Sequence, residues 1–223
     1  MRRNMNEYLF TKIRQQFDKS ALADIEQTVI EQVTGKLQIA PEASIAIGAG
    51  SRGIANIARI VGAVVVAVKA KGGVPFVFPA MGSHGGATGE GQQEILVSYG
   101  ITEETMGCPI RSSMEVVRLD NGGLELPLYM DKHAYESDGV ILVNRIKPHT
   151  AFHGDYESGL VKMSIIGLGK ERLANALHSF GVYGLKTLMP QAGRKILETG
   201  KVLLGVGIIE NAYDETAIIE ALT

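Results

Sequence analysis

Residues 44–79 have the sequence SIAIGAGSRGIANIARIVGAVVVAVKAKGGVPFVFP, and this stretch decides the fold. A short apolar run at 44–47 gives way to a glycine-rich turn at 48–53. A long apolar, alanine-rich stretch follows at 54–71. Two further glycines close it, and a β-branched and aromatic run comes next at 74–79. Apolar runs punctuated by glycine predict a buried strand, a tight turn, a helix and a second strand.

The alternation of strands and helices continues on both sides of this stretch. Apolar residues at three- and four-residue spacing predict a helix within 20–35. Further helices are predicted over 90–98, 159–166, 170–179 and 185–198, and strands over 139–143, 202–209 and 216–222. The turn Asn121-Gly-Gly123 predicts a hairpin with strands at 116–119 and 124–127, and Pro127 favours a sheet edge. We therefore expect an α/β fold, a layered α/β/α domain with a largely parallel sheet that the hairpin makes mixed.

Composition limits the class of protein. One main core is expected for 223 residues, because single cores stop growing at roughly 250 residues. The formal charge of −2 gives no reason to expect nucleic acid as a partner. The apolar runs are too short or too broken by glycine to span a bilayer, and no secretory signal is present. The single cysteine, Cys108, fits a reducing compartment. We expect a cytoplasmic protein that acts on a small molecule and binds neither nucleic acid nor membrane.

The glycine turn after the first strand matches the dinucleotide-binding pattern GxGxxG at Gly48, Gly50 and Gly53. That fold usually carries an acidic residue at the end of its second strand, which holds the ribose. No aspartate or glutamate occurs between Glu42 and Glu90, which counts against NAD. Two interpretations of the turn stay open. One is an anion site made by backbone N–H groups and Arg52, and the other is a tight turn with a solvent-facing arginine.

Polar side chains follow three of the predicted strands. They are Arg52, then His84, and then the group Arg145, Lys147 and His149. Ligands of open α/β sheets bind beyond the carboxyl ends of the strands, so these side chains are candidates for a shared site. Two imidazoles that face each other across a cleft suit removal of a proton on one side of a substrate and its return on the other. This is the chemistry that a racemase needs.

Lys162 stands alone among apolar residues in the segment 158–167, SGLVKMSIIG. Desolvation lowers the pKa of a lysine and leaves more of it as the nucleophilic amine. The other interpretation is a lysine that extends from a buried helix to the surface, and spacing alone favours it.

The segments 80–84 (AMGSH), 147–149 (KPH) and 162–167, followed by His178, together resemble the nickel-dependent lactate racemase family. Its members carry a nickel-pincer nucleotide, which is a pyridinium mononucleotide with two sulfur arms. In the family this cofactor is tethered to a lysine, and a histidine binds its nickel. The resemblance rests on spacing, because the glycine at 167 and the histidine at 178 follow Lys162 at the family's intervals of five and sixteen residues.

The resemblance assigns a role to each matched residue. It implies that Lys162 is the tether and that His178 is the nickel ligand. It implies that His84 and His149 are the acid and base on opposite faces of the substrate carbon. Arg52 matches a family arginine near the anionic end of the site, and Gly50 and Ser51 of the same turn are expected to contact the cofactor.

The implied activity is that of an isomerase, a racemase or epimerase of a lactate-like 2-hydroxyacid that works by reversible hydride transfer. The implied partners are the 2-hydroxyacid and the enzymes that assemble the cofactor, and a host without those enzymes is expected to yield the protein without cofactor. Ala49 replaces a family aspartate and Ile166 replaces a family proline, which leaves the substrate open. Family members have a second, carboxy-terminal domain. Residues 1–223 are therefore expected to be the cofactor-binding amino-terminal domain, with poor turnover alone because closure normally completes such a site.

Two other functions remain as alternatives. One is an NAD-dependent dehydrogenase that uses the glycine turn. The other is a non-catalytic phosphate- or nucleotide-binding domain with Arg52, Arg145 and Lys147 as an anion clamp.

Overall fold

The computed structural model describes residues 11–51, 53–150 and 152–223, so Arg52 lies outside the described residues. The strands are β1 (Ser44–Ala49), β2 (Val74–Pro79), β3 (Val116–Leu119), β4 (Leu128–Asp131), β5 (Gly139–Arg145), β6 (Val202–Glu210) and β7 (Thr216–Leu222). The main sheet has five strands in the order β2-β1-β5-β6-β7. β2, β1, β5 and β6 run parallel to one another, and β7 is antiparallel to β6. The predicted mixed, largely parallel sheet is confirmed.

Each predicted helical segment contains a helix, and three short helices, at 103–106, 132–136 and 181–183, were not predicted. The helices are α1 (Ile25–Lys36), α2 (Ile57–Ala70), α3 (Gly89–Ser98), α4 (Glu103–Met106), α5 (Lys132–Glu136), α6 (Leu160–Lys162), α7 (Lys170–Ser179), α8 (Gly181–Tyr183) and α9 (Met189–Glu198). Turns of π-helix at Met163–Gly167 and Gly184–Leu188 follow α6 and α8. None of the helices in the described ranges combines the length and the apolar composition that a bilayer crossing requires.

Different helices cover the two faces of the sheet. Ile45 and Ile47 of β1 lie in one buried cluster with side chains of α1, α2 and α3. Ala46, between them, lies in a second cluster with side chains of α5, α9 and the first π-helical turn. Successive residues of a strand point to opposite faces, so an apolar run without alternation needs cover on both. The predicted α/β/α layering is confirmed.

Helix α2 begins at Ile57, three residues after the predicted start. The backbone N–H of Ala55 donates to Glu210 Oε1 at 2.7 Å, and Asn56 has a left-handed conformation with φ of 60°. This conformation is strongly disfavoured within a right-handed helix, and here the helix starts after Asn56. The turn after β1 is therefore longer than the glycine pattern predicted.

The predicted hairpin is present, but its second strand and its position were wrong. β3 pairs with β4 at Leu128–Asp131 rather than with 124–127. The two strands form a sheet of their own instead of joining the edge of the main sheet. The main sheet is mixed because β7 runs antiparallel at its edge.

The strand order indicates where a ligand would bind. The chain leaves β1 to form β2 on one side of it and later returns to form β5 on the other side. The connections after β1 and β5 therefore diverge, which opens a crevice at their carboxyl ends. Doubly wound sheets bind ligands at this point.

Candidate active site

A cleft of about 430 Å³ lies at the carboxyl ends of β1, β2 and β5. Every predicted site residue within the described ranges lines it: Gly50, Ser51, His84, His149, Lys162 and His178. Arg145 and Lys147 line it as well. The structure thus brings together residues from the turn after β1, the loop after β2, the loop after β5, α6 and α7. The predicted role of Arg52 stays untested, because that residue is outside the described ranges.

Glycines position the loop that carries His84. Gly82 has φ of +62°, and a Cβ there would lie 2.8 Å from Ile166 Cγ2. A Cβ on Gly167 would lie 2.8 Å from the carbonyl oxygen of Ala80. The loop after β2 and the segment after Lys162 therefore touch backbone to backbone, which requires glycine at both positions. The glycine that follows Lys162 at a spacing of five has this packing role.

The ring of His84 is held from the turn after β1. Its Nδ1 is hydrogen-bonded to Ser51 Oγ, and the imidazole is half-buried. A hydrogen bond to one ring nitrogen orients the imidazole and selects between its tautomers. Ser51 is thus in contact with a candidate acid or base.

His149 is held by its backbone and by its ring. Its N–H donates to Glu157 Oε2 at 2.8 Å, and its ring packs on buried Phe152 with 4.5 Å between ring centroids. Glu157 Oε1 also accepts from the N–H of Gly154 at 3.1 Å and lies 3.1 Å from His153 Nδ1. These contacts lower the pKa of Glu157, and the hydrogen bond from the N–H of His149 has the largest effect. The carboxylate of Glu157 therefore bridges the backbone N–H groups of His149 and Gly154 within the loop after β5.

Lys162 and His178 interact across the cleft. Lys162 is half-buried and ends α6, immediately before a π-helical turn, a feature that is frequent at functional sites. His178 lies in the last turn of α7. Burial lowers the pKa of His178, and the positive charge of Lys162 lowers it further. The lowered pKa favours the neutral imidazole, which is the form that binds metal ions.

The described residues contain no group of three histidine, cysteine, aspartate or glutamate side chains arranged to hold a metal ion.

The helix start predicted as an anion site is occupied by a carboxylate of the chain itself. Glu210, at the end of β6, accepts from the N–H of Ala55 and forms an ion pair with Arg145. The pair is largely buried, with 16% of the Arg145 side chain and 6% of the Glu210 side chain exposed. Glu210 therefore compensates the charge of Arg145. Lys147 is exposed at the rim of the cleft.

Sequence analysis missed several residues that shape the site. Glu157 and Glu210 hold its loops, and a fully buried group of Lys170, Asp131 and Gln92 lies behind His84. Charged and amide side chains are mostly exposed in proteins, so a sequence pattern assigns them to the surface. The sequence signal for this buried group was weak: Lys170 directly follows Gly169, at the start of α7.

The protein has an α/β fold with a cleft at the switch point of its sheet. The fold is similar to the solved structure of the lactate racemase apoprotein from Thermoanaerobacterium thermosaccharolyticum, with a TM-score of 0.64 and 14% sequence identity. The match covers 91% of this chain and 52% of that one, so the chain spans about half the length of the structure it matches. At this identity the likeness shows a lactate racemase-like fold. No protein-family model and no curated protein matches the sequence.

Proposed function

We propose that the cleft is the active site of a racemase or epimerase of a 2-hydroxyacid, and that Lys162 tethers a nickel-pincer nucleotide there. One observation carries the proposal: Lys162, His178, His84 and His149, which the family resemblance singled out, all line a single cleft. The similarity to the lactate racemase apoprotein, at the level of the fold, supports it independently.

The residues of the cleft fit such a cofactor. Lys162 is half-buried and reaches the cleft, whereas Lys170 is fully buried and Lys147 is exposed at the rim. A lysine amine is the nucleophile that a covalent tether requires. His178 offers a neutral imidazole, a suitable ligand for nickel. A group that brings two sulfur ligands of its own needs few from the protein, in agreement with the lack of a three-residue cluster among the described residues. When bound, it would supply a hydride acceptor beside the substrate.

The two histidines would handle the hydroxyl proton of the substrate. One imidazole takes this proton as the α-hydrogen leaves the carbon, and returns it when the α-hydrogen comes back, so protons and electrons balance. The planar 2-oxoacid formed in between can accept the hydrogen on either face, which inverts the centre. His84 is oriented by Ser51, and His149 is held by Glu157 and Phe152.

The charge of the cleft suits an anionic substrate. Its lining includes Arg145 and Lys147 but no aspartate or glutamate among the described residues. Glu210 already neutralises Arg145, so Lys147 is the cation at the rim that can attract a carboxylate. A 2-hydroxyacid carries this group next to its reacting carbon.

The two alternatives have less support. An NAD-binding turn needs its glycine-rich loop to open directly onto a helix, but here Ala55 and Asn56 intervene and Glu210 takes the N–H of Ala55. A phosphate clamp would lack Arg145, because Glu210 already forms an ion pair with it. The match to about half of the lactate racemase structure supports the further proposal that residues 1–223 correspond to a cofactor-binding amino-terminal domain.

The test is turnover by the full-length protein, made together with the cofactor-assembly enzymes. The separate enantiomers of lactate, and of 2-hydroxyacids with larger side chains, are incubated in D2O. We expect interconversion of at least one pair with the original α-hydrogen retained. His84→Asn and His149→Asn should lower kcat by about 10²- to 10⁴-fold, the usual contribution of a general acid or base. His133→Asn, outside the cleft lining, should not.

Two results would overturn the proposal. One is deuterium at the α-carbon of the product, which indicates proton abstraction instead of hydride transfer. The other is no interconversion across the panel by protein that carries both nickel and nucleotide.

A further inference from the structure

Behind the loop of His84 lies a buried ammonium group. The side chain of Lys170 is fully buried, and so are those of Asp131 and Gln92. Lys170 Nζ donates to the carbonyl oxygen of Pro79 at 2.6 Å and to Gln92 Oε1 at 3.1 Å. It lies 3.1 Å from Asp131 Oδ2, an ion pair within the interior. Lys170 has φ of +53°, which turns the chain sharply at the start of α7.

The ammonium group fixes the orientation of Gln92. A charged lysine has only donors, so Gln92 must turn its oxygen towards Lys170 and its NH₂ group away. Gln92 Nε2 donates to the carbonyl oxygens of Gly82 at 2.8 Å and of His84 at 3.2 Å. The loop that carries His84 is thus bonded to α3 through Gln92, and the ammonium group and the two carbonyl groups require the same orientation of its amide.

The surroundings leave this loop little freedom. A Cβ on Gly85 would lie 2.5 Å from the carbonyl carbon of Gly91, so the loop packs directly on the first turn of α3. On the other side, the N–H of Asp131 donates to the carbonyl oxygen of Leu168 at 2.6 Å, and Asp131 Oδ1 accepts from the N–H of Ala134 at 3.0 Å. The same network therefore ties the loop of His84 to the segment that follows Lys162.

Stability alone does not account for a buried ion pair. Desolvation of two charges offsets much of their attraction, and apolar residues of similar volume are often as stable or more so. The bonds to Gln92 and to Pro79 give Lys170 a role that an apolar side chain cannot fill.

We propose that Lys170 is a positioning residue for His84, acting through Gln92 on the backbone of residues 82–84. Its ammonium group selects the orientation of Gln92, and Gln92 holds the two carbonyl groups that set the place of the imidazole beside Ser51. The consequence for turnover rests on the proposed function, whereas the geometry is testable without substrate or cofactor.

The experiment uses the full-length protein with ¹⁵N-labelled histidine, whose ring nitrogen shifts report tautomer and hydrogen bonding. The first variant, Gln92→Met, keeps the volume but removes the link. The second, Lys170→Met with Asp131→Asn, removes both charges together and keeps an acceptor for the N–H of Ala134. In both we expect the His84 ring signals to move towards those of an exposed imidazole, while those of His149 and His153 stay in place.

The control is Lys69→Met, which removes an exposed lysine bonded to the carbonyl oxygen of Gly107 and should leave His84 unchanged. In loaded protein, Gln92→Met should lower kcat by about tenfold or more with little change in KM, the pattern expected when a reacting group is misplaced. Thermal melting shows which variants fold, and if the double variant does not, Gln92→Met decides.

Wild-type His84 signals in a folded Gln92→Met protein, or in the folded double variant, would overturn the proposal. The two proposals can also fail separately. If the His84 signals shift in the variants but the loaded wild type does not interconvert 2-hydroxyacids, this inference stands and the proposed function is wrong.

Discussion

The two histidines of the cleft are held by different kinds of contact. The ring of His84 is hydrogen-bonded to Ser51 Oγ, whereas the backbone N–H of His149 donates to Glu157 and its ring packs on Phe152. A hydrogen bond to one ring nitrogen orients an imidazole and selects between its tautomers. Ser51 therefore has a direct influence on the ring of His84.

Ser51→Ala tests the orientation of His84. It removes the hydrogen bond to Nδ1 and leaves the fold intact, because Ser51 is only half-buried in a turn. We expect kcat for 2-hydroxyacid interconversion to fall by about tenfold to a hundredfold, as for a misplaced catalytic group. Ser98→Ala, an exposed serine outside the cleft lining, is the control and should keep its rate. Equal rates for wild type and Ser51→Ala would show that Ser51 does not orient the base.

The sequence identified candidate residues of the cleft but not the residues that hold those side chains in place. His84, His149, Lys162 and His178 stood out by motif and spacing, and all four line the cleft. Lys170 did not stand out, because its burial depends on Asp131 and Gln92, which lie far away in the chain. No local pattern encodes a partner at that distance.

The loop after β5 depends on the ionised form of one carboxylate. Hydrogen bonds from the N–H groups of His149 and Gly154 hold the pKa of Glu157 below its ordinary value of 4.5. Since the folded pKa is lowered, the contribution to stability is complete above pH 4.5 and is lost as pH falls through the lower, folded pKa. We expect the backbone amide signal of His149 to titrate with a midpoint below 4.5.

The measurement is an NMR titration of wild type, Glu157→Gln and Asp155→Asn. Glu157→Gln should abolish the acidic transition of the His149 amide, because its side chain no longer ionises. Asp155→Asn, an exposed carboxylate of the same loop, should leave the midpoint unchanged. A midpoint at or above 4.5 in wild type would show that Glu157 does not hold the loop.

Element boundaries show where local patterns stop being sufficient. The apolar run that starts at Ile54 predicted a helix from that residue, but the bond from Ala55 to Glu210 and the left-handed Asn56 delay the helix to Ile57. β4 was placed four residues too early, because the apolar residues before Pro127 resemble a strand. In both cases a contact made in the folded protein decides between local possibilities.

At the scale of the whole molecule, the sequence predicted the layers but not the order of the strands. Glycine punctuation and apolar runs identified β1, α2, β2 and β5 and hence the parallel sheet. The position of β5 beside β1, which opens the cleft, follows from how the helices pack on both faces. The antiparallel direction of β7 likewise depends on its pairing with β6. The expectation that ligands bind at strand ends nevertheless placed the cleft correctly.

The most direct test of the central claim, that Lys162 carries a tethered nickel nucleotide, is intact mass together with nickel content. The full-length protein is made with the cofactor-assembly enzymes, and lactate racemase made in the same way is the positive control. We expect a nucleotide adduct with stoichiometric nickel, lost in Lys162→Ala and kept in Lys147→Ala, the lysine at the rim of the same cleft. Unmodified, nickel-free protein beside a loaded control, or an adduct that persists in Lys162→Ala, would contradict the account.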